Sequence, residues 1–287
     1  MTVQIPTGMG SSPDPDGYAR FWEERAKAFG HADPEGLAAV CLRGAPTHLN
    51  EFIASCQRRA INQLLRISPP VAGDPAVDVG CGTGRWTRAL AARGLVVRGF
   101  DISPTMVSKA RQLSPEVQFS VASGTNLPLA DQSQEWVVCI TVLHHLPHER
   151  QADAVEEARR VLRPGGKYLT IVLLNTLPSG YWCFPRSRRG WNRLFAEHAF
   201  RLVAQTGEEF TTPAVMAQWA ASGLRAVRKG VSSGSDDAPG RGAGVASLVY
   251  GALLWVAVTA SYPLERAASA SWPNGPATGL ASLHIRR

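Results

Sequence analysis

The seven residues Asp78-Val79-Gly80-Cys81-Gly82-Thr83-Gly84 set a carboxylate and three alternating glycines between the apolar run PAV and the helix-forming run RWTRALAA. At such a strand-to-helix turn, glycines let the backbone fold back sharply and approach a ligand with no Cβ in the way, beside the unpaired N–H groups that begin a helix. The spacing discriminates between ligands. A dinucleotide fingerprint needs GxGxxG, but Arg85 stands where its last glycine would be, and the pattern GxxxxGK[ST] is absent. Asp78 would oppose a diphosphate, whereas it could receive an ammonium or organise the turn. Asp101, at the end of the next apolar run, suits a ribose diol, because one carboxylate accepts from two hydroxyls. Together these residues favour a nucleoside with a cationic tail.

A regular alternation of elements has to position them. PAVDVG, LVVRGFD, VQFSVAS, EWVVCITV and KYLTIVLLN read as strands. Between them RWTRALAARG, SPTMVSKARQL and HERQADAVEEARRVL read as helices, the second with Ser103 as cap and Pro104 in its first turn. LRPGG reads as a turn before the fifth strand. Five apolar strands separated by helices imply an α/β fold with a parallel sheet covered on both faces. Residues 1–17 read as a flexible arm and 18–70 as N-terminal helices forming a cap. The core is expected over 71–260, with a sixth strand at LRAVRKGV and a seventh at LLWVAVTA. Residues 261–287, rich in Ala, Ser, Gly and Pro, read as a poorly ordered tail or loosely packed flap.

VDVGCGTG, FDIS, the Leu127–Leu129 turn, VLHHL at Val142–Leu146 and VLRPGGKYL at Val161–Leu169 stand in an order that resembles the class I S-adenosylmethionine-dependent methyltransferases. The likeness is to the small-molecule group that includes ubiquinone and menaquinone methylases and natural-product or antibiotic tailoring enzymes. It extends over roughly Ala60 to Ser232. It implies a Rossmann-like sheet of seven strands, the last antiparallel, with S-adenosyl-L-methionine as cofactor and S-adenosyl-L-homocysteine as product. By position, it places Asp78, Gly80, Gly82 and Gly84 beside the methionine part, Asp101 on the ribose, and Ile102 and Met106 beside the adenine. The Thr141 carbonyl falls to the ligand ammonium. In one respect the chain departs from the family. Ala122 and Ser123 stand where members often have Gly-Asp, so the adenine amino group is left to the Ser123 hydroxyl and the backbone at Gly124 and Thr125.

Methyl transfer from an activated sulfonium needs in-line placement above all, and a base only if the acceptor must lose a proton. His144 and His145, after the fourth strand, are candidates for that base, with Tyr181 and His198 as further pocket residues. The excursion 176–210, inserted after strand five, has the composition of a lid. Its Trp182, Phe184, Trp191, Phe195 and Phe200 suit an apolar or aromatic acceptor, and Arg186, Arg188, Arg189, Arg193 and Arg201 an anionic group on it. Tyr18, Phe21 and Trp22 of the leading helix would close the donor pocket from the other side, as in similar enzymes.

Composition narrows the remaining classes. With 45% hydrophobic and 18% charged residues, the 287-residue chain is neither wholly disordered nor a coiled coil. The net charge of +7 is compatible with an anionic partner without requiring one. No long basic run and no Asn/Asp-Pro-Pro-Tyr/Phe segment after strand four points to nucleic acid. Cys41, Cys56, Cys81, Cys139 and Cys183 are widely spaced with no CxxC, which suggests reduced thiols and no metal site. With no basic region followed by an apolar run at the start, the expected compartment is the cytoplasm. The uncharged stretch Gly242–Leu264 is nearly long enough to span a bilayer, but its Gly, Ser and Pro residues favour a buried strand. The expected partner is a small-molecule acceptor, with a homodimer as a further possibility. A catalytically silent S-adenosylmethionine-binding partner protein, an enzyme of assisted cyclisation and an RNA methyltransferase are the alternatives.

Overall fold

The computed structural model describes residues 15–30, 36–41, 47–174, 183–210 and 277–287. Three helices lead: α1 (Pro15–Phe29), α2 (Leu37–Val40) and α3 (Thr47–Ile67). The βα alternation then runs β1 (Pro75–Val79), α4 (Arg85–Ala91), β2 (Val96–Asp101), α5 (Pro104–Leu113), β3 (Gln118–Val121), β4 (Gln134–Ile140), a 3-10 turn at Leu143–His145, α6 (His148–Val161) and β5 (Leu162–Leu173). It continues with α7 (Arg188–Glu197), β6 (Phe200–Phe210) and β7 (Ala277–Arg286). Among the described residues the strands form one seven-stranded sheet in the order β3-β2-β1-β4-β5-β7-β6. The pairs from β3 to β5 are parallel, and β7 is antiparallel to both its neighbours. This is the doubly wound sheet of the class I type.

Alternation along the strands feeds two cores. Val77, Val79, Val137, Cys139, Tyr168, Val172 and Leu280 face the apolar stripes of α6 and α7. Ala76, Trp136, Val138, Ile140, Leu169, Ile171, Ala281 and Leu283 face α3 and α4. The RPGG turn loops out at the start of β5, where the register jumps from the pair Gln134 and Leu162 to the pair Trp136 and Lys167. Ser103 caps α5, accepting from the Met106 N–H, with Pro104 in the first turn as its sequence requires.

The C-terminal half departs from the expected layout. Residues 277–286, expected in the tail, form β7 in the interior of the sheet, so the core does not end at residue 260. The described part of the expected lid, 183–210, supplies α7 and β6. Trp191, Phe195 and Phe200 lie in the hydrophobic core, because their spacing is that of one buried helix face followed by a strand. β6 is residues 200–210, while LRAVRKGV, LLWVAVTA and Gly242–Leu264 lie outside the described residues. α3 is also more than a cap, since Ala60, Ile61, Leu64 and Leu65 form a layer of the second core. At the other end α1 already begins at Pro15, within the expected arm. No helix of the described residues is long and apolar enough to cross a membrane.

Candidate active site

The glycine loop leaves β1 with positive φ at Gly80 (69°), Gly82 (54°) and Gly84 (80°). At each of the three a Cβ would meet a neighbouring side chain at under 3.0 Å. A Cβ on Gly80 would stand 2.2 Å from Val142 Cγ2, and one on Gly84 would stand 2.7 Å from the Phe119 ring. Gly80 and Cys81 both donate to the Phe100 carbonyl, at 2.7 and 2.9 Å, which pins the loop to the end of β2.

Asp101 completes that attachment. Its Oδ2 accepts from Gly82 N at 2.8 Å and its Oδ1 from Ser103 N at 2.9 Å. Each oxygen keeps a second lone pair, as a ribose diol requires. Burial raises the Asp101 carboxyl above the usual range, and the backbone hydrogen bonds oppose that rise. Asp78 lies beneath the loop, with Oδ2 accepting from the Thr87 hydroxyl at 2.6 Å. Burial lifts it to about 6, the Thr87 bond opposes, and the charge of Asp101 adds to the rise. Two carboxylates held above their ordinary range beside one glycine loop fit a cationic ligand and repel a diphosphate.

Around this pair, Gly124 approaches the end of β1 so closely that a Cβ would stand 2.9 Å from Val79 Cγ1. Ser123 and Thr125 share a hydroxyl contact of 2.9 Å, and Arg150 donates to the Thr125 hydroxyl at 3.0 Å. The Ser123 hydroxyl is therefore part of its own turn. Ile102 is half-buried beside Asp101, while buried Met106 packs with Ala26 of α1. Thr141 stands at the end of β4 with φ 59°, its N–H donating to the Ile171 carbonyl at 2.9 Å.

The N-terminal helices lie against these elements. α2 covers the loop, with Val40 Cγ1 2.7 Å from where a Gly82 Cβ would be. Tyr18 packs against the core that contains Phe100, and burial, followed by the Asp101 charge, raises its hydroxyl pKa. Trp22 sets its ring edge to His145 at 4.8 Å between centroids.

On the acceptor side, the two expected bases separate. His144 is buried, and burial followed by the neighbouring His145 drives its pKa well below 6.5. Its Nδ1 accepts from Leu173 N at 3.2 Å, so the neutral ring carries its proton on Nε2 and acts there as a donor. That removes His144 as the base. His145 is half-buried between His144 and Trp22 and keeps the candidacy. His144, His145 and Cys183 place their ligating atoms within 4.8 Å of one another. A metal on His144 Nε2 would put the ring proton on Nδ1, against the Leu173 N–H, so the arrangement does not suit an ion.

Tyr181 and Trp182 lie outside the described residues. His198 instead contacts Glu156 at 3.1 Å. Arg186 is engaged by Gln151 Oε1 at 2.5 Å and by the His148 carbonyl at 3.0 Å, so it braces the segment beside Cys183. Thr87, Cys183 and Glu23 were not singled out by the sequence reading. Thr87 and Cys183 have no motif around them, and Glu23 reads as the solvated face of an amphipathic helix.

The fold is that of the class I methyltransferase domains. Residues 76–166 match the family described as "Methyltransferase domain". The chain is 34% identical over 190 residues to the 27-O-demethylrifamycin SV methyltransferase of Amycolatopsis mediterranei, which covers 63% of this chain and 64% of that protein. It is 36% identical over 112 residues to a demethylmenaquinone methyltransferase of Tropheryma whipplei, which covers 38% of this chain and 45% of that one. In fold it is similar to the magnesium protoporphyrin IX methyltransferase of Synechocystis PCC 6803 with bound SAH. That likeness has a TM-score of 0.54 and 18% identity, and it covers 66% of this chain and 92% of the other. The chain spans about half the length of the curated relatives it matches. Residues 76–166 thus match a methyltransferase domain, set in a sheet of the class I fold.

Proposed function

We propose that the protein transfers a methyl group from S-adenosylmethionine to a small, partly apolar or aromatic acceptor in natural-product biosynthesis. The observation that carries the reading is the pair Asp78 and Asp101 about a glycine loop with no room for side chains. The bound sulfonium supplies an activated methyl group. The chain's own residues would hold and enclose it: Asp101 would take the ribose hydroxyls, Asp78 the cationic end and the Ser123–Thr125 turn the adenine, with α1 and α2 excluding water. His145 is placed to take a proton from an acceptor hydroxyl or amine. Trp22 and Phe184 offer it aromatic surface. Arg186 is committed to Gln151 and His148, which removes one of the arginines proposed for an anionic group on the acceptor. The likeness to the rifamycin methyltransferase supports a natural-product setting, and five free cysteines suit a cytoplasmic one.

Calorimetric titration with S-adenosylmethionine and S-adenosylhomocysteine, with NADH as control, tests the reading. Micromolar binding of the sulfur nucleosides and not of NADH is expected, followed by a gain of one methyl mass in an apolar acceptor. Binding without any methylated product across acceptors would replace the enzyme by a silent binding protein.

A further inference from the structure

Glu23 lies on α1 between the residues that reach the two halves of the pocket. Its Oε2 accepts from the Ser103 hydroxyl at 2.6 Å and from Thr105 N at 3.1 Å, and its Oε1 accepts from the Thr105 hydroxyl at 2.6 Å. Lys27, one turn on, adds an ion pair at 3.3 Å. Burial alone would raise this carboxyl, but the hydrogen bonds from Ser103 and Thr105 and the Lys27 contact bring it down to about 2.

The bonds continue inward. Ser103 N donates to Asp101 Oδ1, and Asp101 Oδ2 accepts from Gly82 N. A single chain of polar contacts therefore joins α1 to the carboxylate expected on the ribose and to the glycine loop. Along the same helix Tyr18 feels the Asp101 charge, Trp22 meets His145, and Ala26 packs on Met106. α1 thus lies beside the carboxylate expected on the ribose, and Glu23 attaches it to the start of α5.

We propose that Glu23 is a positioning residue that latches α1 across the donor pocket, setting how fast the nucleoside enters and leaves and leaving the methyl-transfer step alone. The proposal rests on the donor assignment above, and its test separates the two. In ligand-free protein, Glu23→Ala removes the acceptor of three hydrogen bonds and is expected to speed amide exchange over 15–29 by at least roughly ten-fold, with β1 to β5 unchanged. In stopped-flow with S-adenosylhomocysteine, its association and dissociation rate constants should both rise by about ten-fold, with Kd moving less than about three-fold. Glu23→Gln, whose amide can accept from Ser103 and donate to the Thr105 hydroxyl oxygen, should fall between. Unchanged exchange over 15–29 would overturn the latch. So would faster dissociation with unchanged association, because Glu23 would then be a prop of the bound state and not a barrier to exchange. If the wild-type protein takes up no S-adenosylhomocysteine, the donor assignment fails, and the exchange experiment still decides whether Glu23 holds the helix.

Discussion

The donor half and the acceptor half of the pocket both hold titratable groups that burial keeps from their ordinary charge, yet the two respond to a ligand in opposite ways. Asp78 and Asp101 are lifted toward protonation, and a cationic ligand restores their charge. His144 is driven toward neutrality, and a sulfonium nearby would keep it there. On the proposed assignment, donor recognition is electrostatic and rests on Asp78, Asp101 and the glycine loop between them. The half proposed for the acceptor offers a neutral donor N–H, a half-buried imidazole and aromatic surface, so on that proposal its selectivity would rest on shape.

The contrast can be broken most severely at Gly80. Gly80→Ala adds a Cβ at a left-handed φ of 69° against Val142, and about 3 kcal/mol of stability should be lost along with measurable donor binding. Thermal unfolding and calorimetry read both effects. Asp101→Ala removes the acceptor of Gly82 and Ser103 as well as of the ribose, and should weaken S-adenosylmethionine roughly a hundred-fold. Equal affinity for the two proteins would remove the ribose assignment. On the acceptor side, His145→Ala should leave donor affinity unchanged and lower turnover roughly a hundred-fold at pH 7. If turnover survives intact, no base acts at this position.

The smallest expected effect is the pH dependence of donor affinity. With Asp78 at about 6, the ionised form that receives a cation is scarce at pH 5, so affinity there should be roughly ten-fold below its value at pH 7. Asp78→Asn should bind more weakly and with a shallower profile, Asp101 being the carboxyl that still titrates there. The ligand-free protein moves the other way. A carboxyl raised from 3.8 to about 6 binds its proton more tightly when folded, so its contribution to stability is full below 3.8 and is lost as pH rises through about 6. Denaturant titrations at pH 4 and pH 7 for wild type and Asp78→Asn measure that difference.

The donor half was legible in the sequence because its strands are buried on both faces and read as apolar runs, and because a glycine loop tolerates few alternatives. The C-terminal half was not. In β7, Ser282 and His284 are buried among small residues, so ATGLASLHIR carries no apolar run and reads as a tail. His284 packs on Phe195 at 4.1 Å, and burial lowers it to about 3, a neutral core residue whose type suggests the surface. Trp191, Phe195 and Phe200 attracted a lid reading because aromatic content does not distinguish a pocket wall from a core. Within the site, residue types named Asp78, Asp101 and the histidine pair. The Leu173 N–H that fixes the tautomer of His144 comes from another strand, and no local pattern announces it.

The position of β7 also bears on how the molecule assembles. It pairs with β5 from Lys167 to Leu173 and with β6 from Phe200 to Phe210, so the gap between those strands is filled by residues more than sixty positions beyond β6. A larger sequence separation adds little to the equilibrium cost of pairing, but such distant contacts form late and slowly. The donor half, built from neighbouring βα units, has the means to condense first. Until the closing strand arrives, β5 and β6 present unpaired edges to other chains, which makes that interval the one most exposed to aggregation.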